Sequence, residues 1–391
     1  AVSTSSTNGV GWWYMTDSEG DGTWTTYYKW INNAKEMMRL TGKLPEASKQ
    51  PNYDAISLTL QCWLYQILTD AFGDIPMSEA CSADEGILAP KFDTQQQVYQ
   101  QIIDNLKTAN ELFDKANGLI YNQSGEMLYK TSKGDATGIL KWKKFCNSLR
   151  LRALLRVIDV PEFNAKQELR TMLTDPATYP EEAPLTRPQD FTSYVQISEF
   201  FVNLLKGWND PRLQVYATQV TLPDQTKDYV GLPSGYQTLP SITASGLNQE
   251  MAKAPMKLAM MPYAEVEFIK AELLKKGVID GGSSAAKEAY QKGVQAAIKQ
   301  WGQKMPDHYF ENPEAAYDDT LERIMNQKFV ALFFCDYQQW FEYNRIANAN
   351  NKMPKRFKYP SALQRTNLKN YQAAKANMGG DDFHIRLMWQ Q

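Results

Sequence analysis

The chain has 391 residues, with 42 Lys plus Arg against 44 Asp plus Glu and a formal net charge of −2. That length implies two or three domains, or one large domain with long insertions, and the balanced charge argues against a nucleic-acid binder. Aromatic residues make up 12%, including 10 Trp and 21 Tyr, which suits either large packed cores or surfaces that stack on a flat apolar ligand face. No apolar run is long enough to cross a bilayer. Only two histidines, His308 and His384, are available for a zinc site or a Ser-His-Asp triad. Cys62, Cys146 and Cys335 fall in apolar helical patterns and read as buried thiols, while Cys81 lies in a loop and is open to exposure.

The start, AVSTSSTNGVGWW, has neither a basic opening nor an apolar signal core, so an export signal has been removed or never existed. Residues 8–30 then set Trp12, Trp13, Tyr14 and Trp24 among Gly, Asp, Ser and Thr. A sugar ring has an apolar C–H face that stacks on indole or phenol, and a hydroxyl edge that polar side chains bind. Asn8, Asp17 and Asp21 would supply that edge. For Trp12, Trp13 and Trp24, ligand stacking and plugging of the loop onto helices stand as equal alternatives. Tyr27, Tyr28 and Trp30 begin a helical stretch and read as packing. The run DSEGDG lacks the spaced carboxylates of a calcium loop, and no metal or cofactor is expected.

Ile56, Leu60, Trp63, Leu64, Ile67 and Ala71 share one helix face over Asp54–Phe72, which Gly73 and Pro76 end. Asp93, with Gln96, predicts the cap of a second helix through Val98, Ile102, Leu106 and Phe113. A third runs from about Leu140 to Ile158. Its Arg150, Arg152 and Arg156 alternate with leucines, as on an amphipathic helix with snorkelling or salt-bridged arginines. Pro262–Lys276 and Ser284–Trp301 predict a hairpin around Gly277 and Gly281–Gly282. Small residues there (Ala264, Ala271, Ala289, Gly293) around Phe268 follow the packing logic of a tetratricopeptide unit. A long helix is expected over roughly Asp319–Arg345. The polar stretches between, 175–200, 221–262 and 346–391 among them, read as loops, and long loops tend to carry binding function.

No catalytic motif emerges. The neighbouring carboxylates Asp84-Glu85, Glu181-Glu182 and Asp318-Asp319 read as loop or helix-start charge, since glycoside cleavage needs two carboxyls facing across a bond. There is no phosphate-binding loop and no nucleophile elbow. Tyr229 and Tyr236, in DYVGLPSGYQ, are further candidates for stacking on a ligand.

Several strings in order, LTDAFGDIPMSEA (68–80), PKFDTQQQVYQQIIDNLKTA (90–109), LKWKKFCNSLRLRALLRV (140–157), NDPRL (209–213), PYAEVEFIKAELLKKG (262–277), ERIMNQKFVALF (322–333) and PKRFKYP (354–360), resemble the SusD/RagB family of outer-membrane nutrient-binding lipoproteins of Bacteroidetes. The resemblance implies a mainly α, SusD-like fold: one domain over 1–391, with tetratricopeptide-like helix pairs and a loop-rich ligand face. The helical scaffold is expected over about 27–72, 93–158, 262–301 and 319–346, and the ligand face over 1–26, 175–261 and other insertions. It also implies a non-enzymatic, glycan-binding subunit of a TonB-dependent uptake system, held at the cell surface by a lipid anchor that this chain does not carry. Its partners would be an oligosaccharide or polysaccharide and a SusC-like barrel, with no nucleic acid. Where relatives commonly show Trp followed by paired Arg and a Gly, this chain has Trp340-Phe341-Glu342-Tyr343-Asn344-Arg345. The rival classes are a peptide- or protein-binding helical module of the same kind of importer and an all-α glycoside hydrolase. The residues expected to hold the ligand are Trp12, Trp13, Tyr14 and Trp24 by stacking, Asp17 and Asn8 by hydrogen bonds, then Tyr229 and Tyr236. If Trp24 faces ligand alone, Trp24→Ala abolishes binding and leaves the melting temperature almost unchanged.

Overall fold

The computed structural model describes residues 15–45, 50–120, 126–131, 134–173, 185–187, 195–234, 241–253, 256–347 and 353–390. The chain divides into two compact units, each made of discontinuous segments. The first combines Asp17–Glu181 with Trp340–Gln391, and the second Ala1–Thr16 with Glu182–Gln339.

The first unit opens with α1 (Asp21–Gly42), α2 (Pro51–Phe72), α3 (Gln95–Leu112), α4 (Ala136–Arg156) and α5 (Ala165–Leu173), each packed on the one before it. Pro51 starts α2, where its missing N–H costs nothing. The cap of α3 falls one residue later than predicted. Thr94 Oγ1 accepts from the Gln97 amide at 3.2 Å and Gln97 Oε1 from the Thr94 amide at 2.9 Å. Asp93 is occupied elsewhere: its carboxylate takes the amides of Met77 and Ser78 at 2.9 and 2.7 Å and the Ser78 hydroxyl at 2.8 Å. Helix α4 carries the salt-bridged arginines that its Arg/Leu alternation predicts, Arg150 to Glu168 and Arg156 to Asp70 and Glu342, but two of its three are drawn inside. Leu149, Leu151, Leu154 and Leu155 are buried together with Arg152 and Arg156, so α4 lies inside the unit. Only Arg150 reaches outward, to Glu168 of α5 at 2.5 Å.

In the second unit, β1 (Leu185–Arg187) pairs antiparallel with β4 (Met256–Leu258), and β2 (Val220–Thr221) with β3 (Lys227–Asp228). Its helices are α6 (Glu199–Gly207), α7 (Leu213–Tyr216), α8 (Tyr263–Lys275), α9 (Gly282–Gln300) and α10 (Leu321–Ala331). Helices α8 and α9 form the predicted hairpin, and α10 rests on both. Their crossing depends on Gly293, where a Cβ would sit 2.9 Å from the Phe268 ring. Asp318 and Asp319 serve the start of α10 and its neighbour, pairing with Arg323 at 3.2 Å and Lys275 at 3.0 Å. The single helix expected over 319–345 breaks after Ala331. Phe334 and Asp336 take φ of 61° and 45°, which a right-handed helix excludes. The break allows Leu332, Phe333 and Cys335 all to be buried, which one straight helical face would not.

At the centre of this unit Arg212 is wholly buried. Its Nε and Nη2 donate to Asp210 at 2.8 and 2.7 Å, and Nη2 also to Gln327 at 3.0 Å. Tyr309 donates to the same carboxylate at 2.6 Å. Burial pushes the Asp210 carboxyl up, but the Arg212 charge and these bonds outweigh it and hold the group below the usual range.

The chain returns to the first unit within α11 (Gln338–Ile346), followed by α12 (Leu363–Thr366) and α13 (Leu368–Asn377). Residues 346–391, expected as loop, contribute core instead: Phe357, Tyr359, Leu387 and Trp389 are all buried. Arg356 donates to the Phe72 carbonyl at 3.0 Å, pairs with Asp381 at 3.1 Å and lies over the Tyr359 ring. Arg156 lies between Asp70 at 3.5 Å and Glu342 at 3.4 Å, against the rings of Phe341 and Trp389. Glu342 is held in turn by Arg345 at 2.8 Å. Asp70 is gripped less closely than Asp210, and burial pushes it up to about 6 in spite of Arg156 and a bond from Tyr99.

Gly293→Ala removes a helix-interior glycine, which by itself favours the helix by roughly 1 kcal/mol. Here it should instead lower the chemical-denaturation midpoint, because the methyl meets the Phe268 ring. The two buried aspartates should differ in sign with pH. Asp210, depressed in the fold, stabilises above its unfolded pKa, and this contribution is lost as pH falls through the folded value. Removing it (Asp210→Ala) should cost about 3–5 kcal/mol at pH 7, as for a broken buried pair. Asp70, raised from 3.8 to about 6, must ionise at a cost as pH rises through that window. Asp70→Asn should therefore gain relative to the parent between those pH values, whatever its constant offset; denaturation midpoints against pH check both.

Candidate functional site

Trp24 lies on α1, one turn in, and not on a loop. Helix α1 begins at Asp21, before the scaffold start expected at 27. Trp24 is half-buried, with ring centroids 4.9 Å from Tyr28, 5.1 Å from Phe72, 6.0 Å from Phe92 and 5.9 Å from Tyr359. The stack on Phe92 is near-parallel at 28°, and Phe72 and Tyr359 meet it edge-on at 86°. Trp24 is thus both part of the packing and the wall of a cavity.

That cavity measures about 140 Å³. Trp24 and Tyr28 form its helical side, Pro76, Ala80 and Cys81 one loop, and Leu88 and Pro90 another; Leu363, Thr366 and Asn367 close it. Side chains spaced along α1 fix the first loop. Tyr28 donates to the Pro76 carbonyl at 2.7 Å, Lys35 to Ala80 at 2.6 Å and Arg39 to Cys81 at 2.5 Å. From the other side, Asp93 holds the Met77 and Ser78 amides. Cys81 has φ of 59°, a conformation that these bonds sustain. Its thiol is half-buried, and burial pushes its pKa up, away from a reactive thiolate. The second loop is pinned by Asn367 to the Pro90 carbonyl at 2.7 Å and by Asn370 to Ala89 at 2.9 Å. Leu88 projects outward, 81% exposed.

Of the other sequence candidates, Asp17 and Tyr229 are described and do not line this cavity. Asp17 is exposed and ion-paired with Lys358 at 2.8 Å, so its carboxylate is already engaged. Tyr229 is half-buried against the core of the second unit, beside the Lys206–Asp228 pair. Asn8, Trp12, Trp13, Tyr14 and Tyr236 lie outside the described residues. The sequence read Tyr28 as packing and did not single out Leu88, Pro90 or the Leu363–Asn367 turn. The available signal was Ile87-Leu88, an apolar pair that follows the polar run 82–86. Among the described residues no three His, Cys, Asp or Glu side chains converge to hold a metal.

A helical scaffold carrying irregular loops and an aromatic-walled cavity defines a binding protein of the SusD-like class. Residues 1–360 match the SusD-like family described as "Starch-binding associating with outer membrane". The chain belongs to this family, within the SusD/RagB group. No curated protein sequence matches it. Among solved structures, a SusD homologue from Bacteroides uniformis has a TM-score of 0.79 at 20% identity, covering 100% of this chain and 91% of its own. A chitin-binding protein has a TM-score of 0.77 at 23% identity, with 97% and 90% covered. A SusD-like protein from Bacteroides thetaiotaomicron has a TM-score of 0.77 at 21% identity, with 99% and 90% covered. At such identities the likeness is one of fold.

Trp24→Ala should lower stability by about 2–3 kcal/mol, since four rings lose their neighbour. Leu88→Asp, at an exposed position, should stay within about 0.5 kcal/mol of the parent. Thermal melts of the two variants side by side check this.

Proposed function

We propose that the protein is a non-catalytic glycan-binding subunit at the bacterial cell surface, passing its ligand to a SusC-like TonB-dependent barrel. The observation that carries this reading is the half-exposed Trp24 indole, fixed by four rings at the wall of a cavity whose loops are hydrogen-bonded in place. A preorganised aromatic wall binds the C–H face of a sugar without first ordering a loop. The family description and the name of the chitin-binding structural relative support a saccharide ligand. A cavity of about 140 Å³ is well below the ~300 Å³ at which enclosed small-molecule sites usually start, so it would take one ring or a substituent, with the remainder of the chain outside. Contacts that few give modest affinity, which suits a protein that must release its ligand to a transporter. Asn8, Trp12, Trp13, Tyr14, Asp17, Tyr229 and Tyr236 stand as further candidates from sequence, each open to the same test.

The test is calorimetric titration with a panel of oligosaccharides and, in parallel, a peptide library. Binding to a saccharide that Leu88→Asp weakens about tenfold at unchanged melting temperature supports the reading. Binding to peptides alone overturns it in favour of a peptide importer. New reducing ends on incubation with a bound oligosaccharide would make the protein a hydrolase.

A further inference from the structure

The cavity at Trp24 has a chemical bias that goes beyond glycan binding. Its lining is mostly apolar, with Trp24, Leu88, Pro76, Pro90 and Leu363 around a space of about 140 Å³. The polar side chains in the lining already donate to main-chain carbonyls. Tyr28 donates to Pro76 at 2.7 Å, Cys81 to Tyr28 at 3.7 Å, Thr366 to Ala362 at 3.1 Å and Asn367 to Pro90 at 2.7 Å. The Asn367 side-chain oxygen accepts from Asn370 at 2.8 Å. Trp24 Nε1 is a donor with no partner among the described residues. A plain hexose pushed into this space would bring several hydroxyls and find few groups to answer them, and buried polar groups without partners oppose binding.

A substituent with a methyl end and only one or two polar atoms suits the cavity better. An acetamido group has that composition: a methyl for the Leu88, Leu363 and proline surface, a carbonyl oxygen for an indole N–H, and one N–H for an acceptor such as Thr366 Oγ1. We propose that this cavity selects sugars carrying a 2-acetamido group over the matching 2-hydroxyl sugars. The inference rests on the glycan-binding reading and adds the class of sugar. Leu88 becomes the specificity-determining residue, because it projects freely at the mouth, whereas Trp24 also serves the packing.

The experiment titrates the full chain with oligosaccharides matched in length and linkage and differing only in 2-acetamido or 2-hydroxyl, in both α- and β-linked series. The acetamido member should bind about tenfold tighter, the discrimination that one methyl-sized contact typically supplies. Leu88→Asp should bring the ratio close to one at unchanged melting temperature. Equal binding of the two members, or tighter binding of the hydroxyl sugar, overturns the selectivity and leaves glycan binding standing. A ratio that survives Leu88→Asp also overturns it, since the cavity would then not be the selecting site. Binding to no member of either series removes both readings together.

Discussion

A guanidinium cannot be withdrawn from water unless carboxylates and carbonyls replace the solvent, and that requirement organises this protein. Arg152, Arg156, Arg212 and Arg356 are its bulkiest fully buried side chains. In the second unit Arg212 and Asp210 lie two residues apart and close a bidentate pair, which Gln327 and Tyr309 complete from other segments. In the first unit Arg156 and Arg356 bring α2, α4 and the chain after residue 340 together. Partners from distant segments must be in place at once, because an unpartnered buried charge costs several kcal/mol, of order 3–5. The two aspartates show the effect of geometry: bidentate contact depresses Asp210, and a single longer contact leaves Asp70 raised.

The candidate site depends on this framework. Arg356 lies over the ring of Tyr359, and Tyr359 meets Trp24 edge-on. Tyr28, Lys35 and Arg39 extend from one helix to successive carbonyls of the 76–81 loop, so the cavity wall is tied to α1 at three points. Such a wall loses little entropy when a ligand arrives. Apart from the Trp24 indole, it also spends its side-chain donors internally, which leaves the cavity lining mostly apolar.

The sequence carried the helices and not their details. The hairpin of α8 and α9 was legible because glycines and alanines recur at helical spacing around Phe268. The α3 cap was displaced by one residue because Asp93 and Thr94 are both good caps, and only the fold shows that Asp93 serves the 77–78 turn. The break after Ala331 was hidden, since helix periodicity runs on through Phe333 and Cys335. The segment after 346 looked like loop because its core residues are scattered and obey no period. The Arg/Leu alternation in α4 pointed to salt-bridged arginines, and only the tertiary partners show that Arg152 and Arg156 are the ones drawn inside.

The sequence by itself determined that the protein is mainly helical, that it belongs with the SusD-like proteins and that it is rich in rings suited to a saccharide. Those properties are local or additive: helical period, capping residues, ordered strings and composition. The tertiary structure alone decided what surrounds Trp24. Trp24 meets Leu88 and Leu363 across more than 60 and 330 residues of chain. No periodicity records such a meeting, because it is set by how buried charges and rings from separate segments satisfy one another.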